Sequence, residues 1–135
     1  MIRIPEALAV ASIMAPASVN ASTATTTEYL DAAGASQVAF LITAAPLGAG
    51  KSLTVTLMAA DDGEGSNAQE LGTATFTDAD GTAPQTAVVS YEVSALNGRY
   101  LAVKFQHDAA AAVICSAGAM ADQIYRAAGG WTLVV

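Results

Sequence analysis

Lys51-Ser-Leu-Thr-Val-Thr-Leu-Met-Ala59 decides the fold class. Leu53, Val55 and Leu57 fall on one side of an extended chain, and Ser52, Thr54 and Thr56 on the other. That is the period of a half-buried strand, whose successive side chains point to opposite faces. The same period runs outward in both directions. Val38, Phe40 and Ile42 alternate within residues 37–43, and Ala74 and Phe76 within the threonine-rich 71–77. Ala87, Val89, Tyr91 and Val93 oppose Val88, Ser90 and Glu92 within residues 86–94. Leu101, Val103 and Phe105 oppose Tyr100, Ala102, Lys104 and Gln106 within residues 99–107. Residues 111–117 and 122–127 read as the final strands. Turn signals separate the runs: the Pro46, Gly48 and Gly50 segment, polar loops at 61–67 and 78–82, and Asn97-Gly98, a pair suited to positive φ. About seven short strands with regular turns predict an all-β fold: a single β-sandwich, jelly-roll or immunoglobulin-like.

The chain has 135 residues, enough for one domain. Ala, Thr, Ser and Gly make up nearly half of it, so small side chains must fill much of a modest core. Twelve acids against five bases give a net charge of −7, which argues against a nucleic-acid partner. One Cys and one His exclude a disulfide framework, a cysteine-rich zinc site and a multi-histidine metal site. No stretch reaches the ~18 apolar residues of a membrane-spanning helix. No cofactor is implied.

Residues 1–27 stand apart from a sandwich domain over 28–135. Arg3, the apolar stretch 7–17 and small-residue triplets at 15–17 and 19–21 superficially match a secretory leader. Pro5 and Glu6 interrupt that pattern, and the better reading is an N-terminal arm. Pro5 and Pro16 disfavour one continuous helix, although a short one over residues 6–14 fits. An apolar arm must pack on something, a neighbouring subunit being one choice. The apolar tail Gly129-Gly-Trp-Thr-Leu-Val-Val135 either closes the sheet as a last strand or adds to a neighbour's.

Several motifs invite a chemical reading. Pro46-Leu-Gly-Ala-Gly-Lys51-Ser52 resembles the end of a phosphate-binding loop, but Ala45 replaces the required Gly and a strand follows instead of a helix. Asp61, Asp62, Glu64, Glu70, Asp78 and Asp80 supply oxygen ligands, yet not in EF-hand order; solvated loops are the plainer reading. Paired carboxylates for glycoside hydrolysis would need an aromatic-lined groove, for which the chain has few aromatics. His107 and Cys115 form a thiol–imidazole pair only if their strands are neighbours, and Cys115 reads as interior. No nucleophile elbow is present. The chain is therefore expected not to be an enzyme. Tyr29, Tyr91, Tyr100 and Tyr125 read as strand packing, and Arg126 beside Tyr125 as an interface anchor or a solvated base.

Three stretches carry a family resemblance: Leu53-Thr-Val-Thr-Leu-Met-Ala-Ala-Asp-Asp-Gly-Glu-Gly65, then Gly98-Arg-Tyr-Leu-Ala-Val-Lys-Phe105, then Ile124-Tyr-Arg-Ala127. Their order resembles small β-sandwich virion structural proteins of tailed bacteriophages, over about residues 36–127. The resemblance implies a capsid decoration (cement) protein on the outer capsid surface of the virion. Such a protein binds the major capsid protein, bridges capsomers, self-associates as a dimer or trimer, and touches neither nucleic acid nor membrane. Its reaching parts would be the arm, with Ile2, Ile4, Leu8, Ile13 and Met14 as anchors, and the tail region, with Tyr125, Arg126, Trp131 and Leu133. A tail, neck or baseplate component is the alternative within a virion. A secreted or cell-surface binding module, calcium-dependent or not, is the alternative outside one.

Overall fold

The computed structural model describes residues 8–32, 37–92, 100–122 and 132–133. Its strands are β1 (Leu8–Val19), β2 (Thr25–Thr26), β3 (Leu30–Asp31), β4 (Gln37–Ala44), β5 (Ser52–Ala60), β6 (Gln69–Thr77), β7 (Gln85–Glu92), β8 (Tyr100–His107), β9 (Val113–Asp122) and β10 (Thr132–Leu133). Among the described residues there is no helix. The short helix allowed over residues 6–14 is replaced, from Leu8 onward, by strand.

Two antiparallel sheets face each other. One runs β10-β1-β9-β4-β7; the other runs β2-β8-β5-β6, with β3 also on β8. β2 and β3 are two halves of one interrupted strand. Thr26 lies opposite Lys104 and Leu30 opposite Leu101, so residues 27–29 bulge against residues 102–103. Taking the halves together, the eight long strands run 1-8-3-6 in one sheet and 2-7-4-5 in the other. Each successive strand crosses between sheets, apart from the β5–β6 hairpin. This is the double-sheet jelly roll, and it decides between the two sandwich topologies that the sequence allows.

The core lies where the inward rows meet. Phe40 and Phe105 are the largest fully buried side chains. Phe40 has Ala119 opposite it on β9 and Val89 on β7. The inward row of β9 is otherwise small, with Cys115, Ala117, Ala119 and Ala121. Small residues beside a large one in the same sheet leave room for side chains of the opposite sheet. Each buried aromatic contributes about 1.5–3 kcal/mol of transfer free energy.

Part of the expected arm is built into this core. β1 pairs with β9 from Leu8 opposite Asp122 to Val19 opposite Val113. The register shifts between Ser12 and Met14 and again between Met14 and Ala17. Pro16, which has no N–H for a ladder, sits within the second irregularity. The first brings Ile13 into the core at 2% exposure. The Ile13 carbonyl accepts the Glu28 N–H at 3.2 Å, a bond from β1 to the bulge in the opposite sheet. Removing residues 8–19 would thus remove a strand of the sandwich, not a detachable tether. The tail is likewise partly placed. Leu133 and Thr132 pair with Ala9 and Val10, extending the chain's own sheet.

The bulge at residues 27–29 holds together through one hydroxyl. Thr27 N–H donates to the Val103 carbonyl at 2.9 Å. Thr27 Oγ1 accepts the Val103 N–H at 3.1 Å and donates to the Glu28 carbonyl at 3.2 Å. The hydroxyl stands in for the ladder carbonyl that the bulge displaces, at a site only 5% exposed. Thr27→Val keeps the shape but strands a buried amide, and should cost about 1–3 kcal/mol in urea denaturation. Thr27→Ser should recover most of that loss; equal stability of the valine variant and wild type would refute this role.

Candidate functional site

The loop that resembles a phosphate cradle is already occupied by the chain's own carboxylate. Asp78 Oδ2 accepts the N–H groups of Leu47 at 2.9 Å and Gly48 at 3.3 Å, and Oδ1 accepts that of Gly81 at 2.9 Å. The Asp78 main chain closes the same loop: Gly50 N–H donates to its carbonyl, and its own N–H donates to Lys51, each at 2.8 Å. The amides that would hold an anion are aimed at Asp78. Its side chain is fully buried, which corrects its placement among solvated acids. The Gly81 amide is the main influence holding the carboxyl below its ordinary value of 3.8; burial opposes it, and the amides of Leu47, Gly48 and Asp80 add to it.

The remaining acids serve their own loops. Asp62 Oδ1 accepts the amides of Glu64 at 2.9 Å and Ser66 at 3.1 Å. Hydrogen bonds from Ser66 are the largest influence lowering its pKa. Asp61 accepts from Asn67 Nδ2, Asp80 from the Thr82 hydroxyl, and Glu70 pairs with Lys104 at 2.6 Å. Among the described residues no three His, Cys, Asp or Glu side chains are grouped to hold a metal ion.

His107 and Cys115 do not work as a pair. His107 is buried, with Nε2 2.7 Å from the Val19 carbonyl, and Nδ1 accepts the Ala109 N–H at 3.2 Å. Because Nδ1 accepts, the proton sits on Nε2 and is donated to Val19. Cys115 is buried, its thiol directed to the Val113 carbonyl, and burial pushes its pKa up. Both groups are turned to the chain's own backbone.

What remains is surface, and the two sheets present different surfaces. The outer face of the β2-β8-β5-β6 sheet is a hydroxyl ladder: Ser52 bonds Thr77 at 3.2 Å, Thr56 bonds Thr73 at 3.1 Å, and Thr54 lies opposite Thr75 between them. A hollow of about 290 Å³ over Ser52, Thr54, Thr56, Gln106 and Asp108 has its charged groups engaged, Lys104 by Glu70 and Asp108 by the Ser52 amide.

The outer face of the β10-β1-β9-β4-β7 sheet is uncharged across its centre. Register places Ala39, Leu41 and Thr43 of β4 beside Met120, Gly118 and Ser116 of β9, and beside Ser90, Val88 and Thr86 of β7. Among the described residues, charge returns only at one end, with Glu92 and Asp122; Asp122 accepts the Gln37 amide at 3.0 Å. A shallow groove of about 450 Å³ crosses this face. Leu41, Thr43, Ser116 and Gly118 form its floor, and Val10, Ser12, Met14 and Pro16 of β1 its wall. Gly118, opposite Leu41 and Ser12, lowers the floor because it carries no side chain.

The interface residues expected from the sequence scatter over this structure. Met14 is partly buried against the core and reaches the groove wall. Ile13 belongs to the chain's own core instead of reaching toward a neighbour. Leu8 and Leu133 are placed by backbone pairing, opposite Asp122 and Ala9 respectively. Ile2, Ile4, Tyr125, Arg126 and Trp131 lie outside the described residues. Leu41, Val88 and Gly118 are absent from the site residues expected from the sequence. Their signal was Leu41 and Val88 at positions where strict alternation calls for polar residues.

No protein-family model and no curated protein matches the sequence. Solved structures show where the fold recurs. The chain is similar to the PBSX exported protein XepA, with TM-score 0.57 and 11% identity over 88% of this chain and 38% of that one. It is also similar to a chain in the structure of infectious bursal disease virus, Gx strain, with TM-score 0.51 and 10% identity over 95% and 36%. The Gt strain gives TM-score 0.50 and 11% identity over 87% and 32%. This chain thus spans about a third of the length of each of those chains. At such identities the likeness is one of fold: a β-sandwich that also occurs in phage and virus proteins.

Two measurements test the Asp78 clamp. A carboxyl whose folded pKa is depressed stabilises the protein above its unfolded value and loses that contribution as pH falls through the folded value. Unfolding free energy should therefore drop as pH falls below about 4, and Asp78→Ala should flatten that acid limb; an unchanged limb would argue against the clamp. Gly81 and Gly50 both have positive φ, +74° and +78°. A Cβ at Gly81 would lie 2.7 Å from the Ala49 nitrogen, whereas at Gly50 it meets nothing. Gly81→Ala should lower Tm clearly more than Gly50→Ala.

Proposed function

We propose that this chain is a non-enzymatic virion structural protein, a capsid decoration (cement) protein that binds the major capsid protein on the outer surface of the shell. The observation that carries this reading is the grooved outer face of the β10-β1-β9-β4-β7 sheet, uncharged across its centre among the described residues, on a chain of net charge −7. A contiguous face without charge on an acidic protein is the pattern of a surface meant to be covered. Recurrence of the fold in phage and virus proteins supports the same setting. The Asp78-filled loop and the backbone-bonded His107 fit a role without chemistry. Attachment to a repeating lattice would turn modest single contacts into firm retention.

XepA, which shares the fold, is an exported protein, and this favours a second reading, a secreted or cell-surface binding module. Particle stoichiometry separates the two. As a decoration protein the chain is present in purified particles at a simple ratio to the major capsid protein. A handful of copies indicates a tail, neck or baseplate component, and absence from particles the exported module. Leu41→Lys places a charge on the groove floor and should reduce particle occupancy at least about tenfold, equivalent to about 1.4 kcal/mol. Thr75→Lys on the hydroxyl ladder should leave occupancy unchanged, with both variants retaining a native β-sheet spectrum. Equal effects of the two would remove the grooved face from the proposal.

A further inference from the structure

Among the described residues, three of the four sheet edges carry something that blocks a further strand, and the fourth does not. β10 has two residues. The β2–β3 edge is broken by its bulge. β6 carries Glu70, the side-chain-free Gly72 and a register irregularity against Leu57 and Met58. β7 instead pairs with β4 over eight residues, Gln37 opposite Glu92 through Ala44 opposite Gln85, without a shift. It contains no Gly, Pro or Lys, and no charge before Glu92. Among the described residues its one ladder partner is β4. Charge, bulges and brevity are what keep sheet edges from pairing with other chains, because the outer row of backbone groups is otherwise a template. In the middle of this edge, Val88 is 52% exposed, one of two large apolar side chains so exposed among the described residues.

We propose that β7 is the docking edge for β7 of a second copy of this chain, paired antiparallel about a two-fold axis through Val88. Facing residues of an antiparallel pair share a side of the sheet, so the axis must pass through a residue. Centred on Val88, the register puts Val88 against its own copy, Thr86 against Ser90, and Ala87 against Val89. Apolar meets apolar and hydroxyl meets hydroxyl, the favourable cross-strand pairs. Centring on Val89 would set the exposed Val88 against Ser90 and bring Glu92 against Thr86. With a net charge of −7 on each copy, an edge free of charge is where two copies approach with least repulsion. The contact is isologous, and it fuses two five-stranded sheets into one continuous sheet.

This inference rests on the edge and not on the capsid reading, so it is tested with the purified full chain alone. Sedimentation equilibrium should find a dimer for wild type and a monomer for Val88→Lys, with an unchanged circular dichroism spectrum. Cysteine substitution gives a second readout that keeps the edge intact. Facing Cα atoms in such a pair lie about 4.5–5.5 Å apart, within disulfide reach. Mild oxidation should link Val88→Cys into a covalent dimer and leave Thr86→Cys unlinked, the native Cys115 being buried. A monomeric wild type would overturn the proposal. So would a Val88→Lys dimer, or equal cross-linking at both positions.

Discussion

Much of this architecture depends on one buried carboxylate. Asp78 follows directly on β6, yet its oxygens bind amides of the β4–β5 loop and of the β6–β7 loop. Both loops cross between the sheets, so a single side chain fixes two of the crossings on which a jelly roll depends. A charge out of water is tolerable only when its lone pairs are taken up, and here backbone amides take them. The closeness is mutual. Gly81 lies so near the Gly48–Ala49 backbone that any side chain would collide. From this clamp the chain enters β7, so the edge we assign to self-association starts just after an anchored crossing.

The same economy of backbone groups appears at the opposite edge. An irregularity in β1 and a bulge between β2 and β3 would each leave main-chain groups unpaired. They meet, and the Ile13 carbonyl takes the Glu28 amide while the Thr27 hydroxyl takes that of Val103. Two local departures from the ladder thus become a bond between the sheets. With both lateral edges anchored, the two outer faces are free to differ. One is lined by paired hydroxyls that satisfy each other; the other is uncharged and grooved. The polar face pairs its own hydroxyls, and the grooved face gives the proposed function its physical basis.

The strands with clean alternation were legible in the sequence. Phe40 and Ile42, Leu53 and Val55, and Leu101 and Phe105 all face inward as their spacing predicts. β1 was not legible, because two extra residues and Pro16 destroy the period that betrays a strand. Residues 8–19 consequently read as an arm. His107 shares the inward parity of Phe105, a signal that it belongs to the interior. Of the candidate surface, Leu41 and Val88 were visible as apolar residues on the wrong side of an alternating strand. Gly118 carried no such mark, since its role arises only from lying opposite Leu41 and Ser12.

The sequence by itself determined that the chain is all-β, which residues of the regular strands face inward, and that the surface is acidic. These follow from covalent geometry, which fixes a two-residue period within each strand, and from composition. Tertiary structure alone decided the jelly-roll order, the burial of Asp78, and the use of residues 8–19 as a strand between β9 and β10. Each of these turns on which distant backbone group meets which. Asp78 and Asp80 are the same residue type two positions apart, and it is the amides of Leu47 and Gly48 from a distant loop, joined to that of Gly81, that make one a buried clamp while the other serves a surface turn.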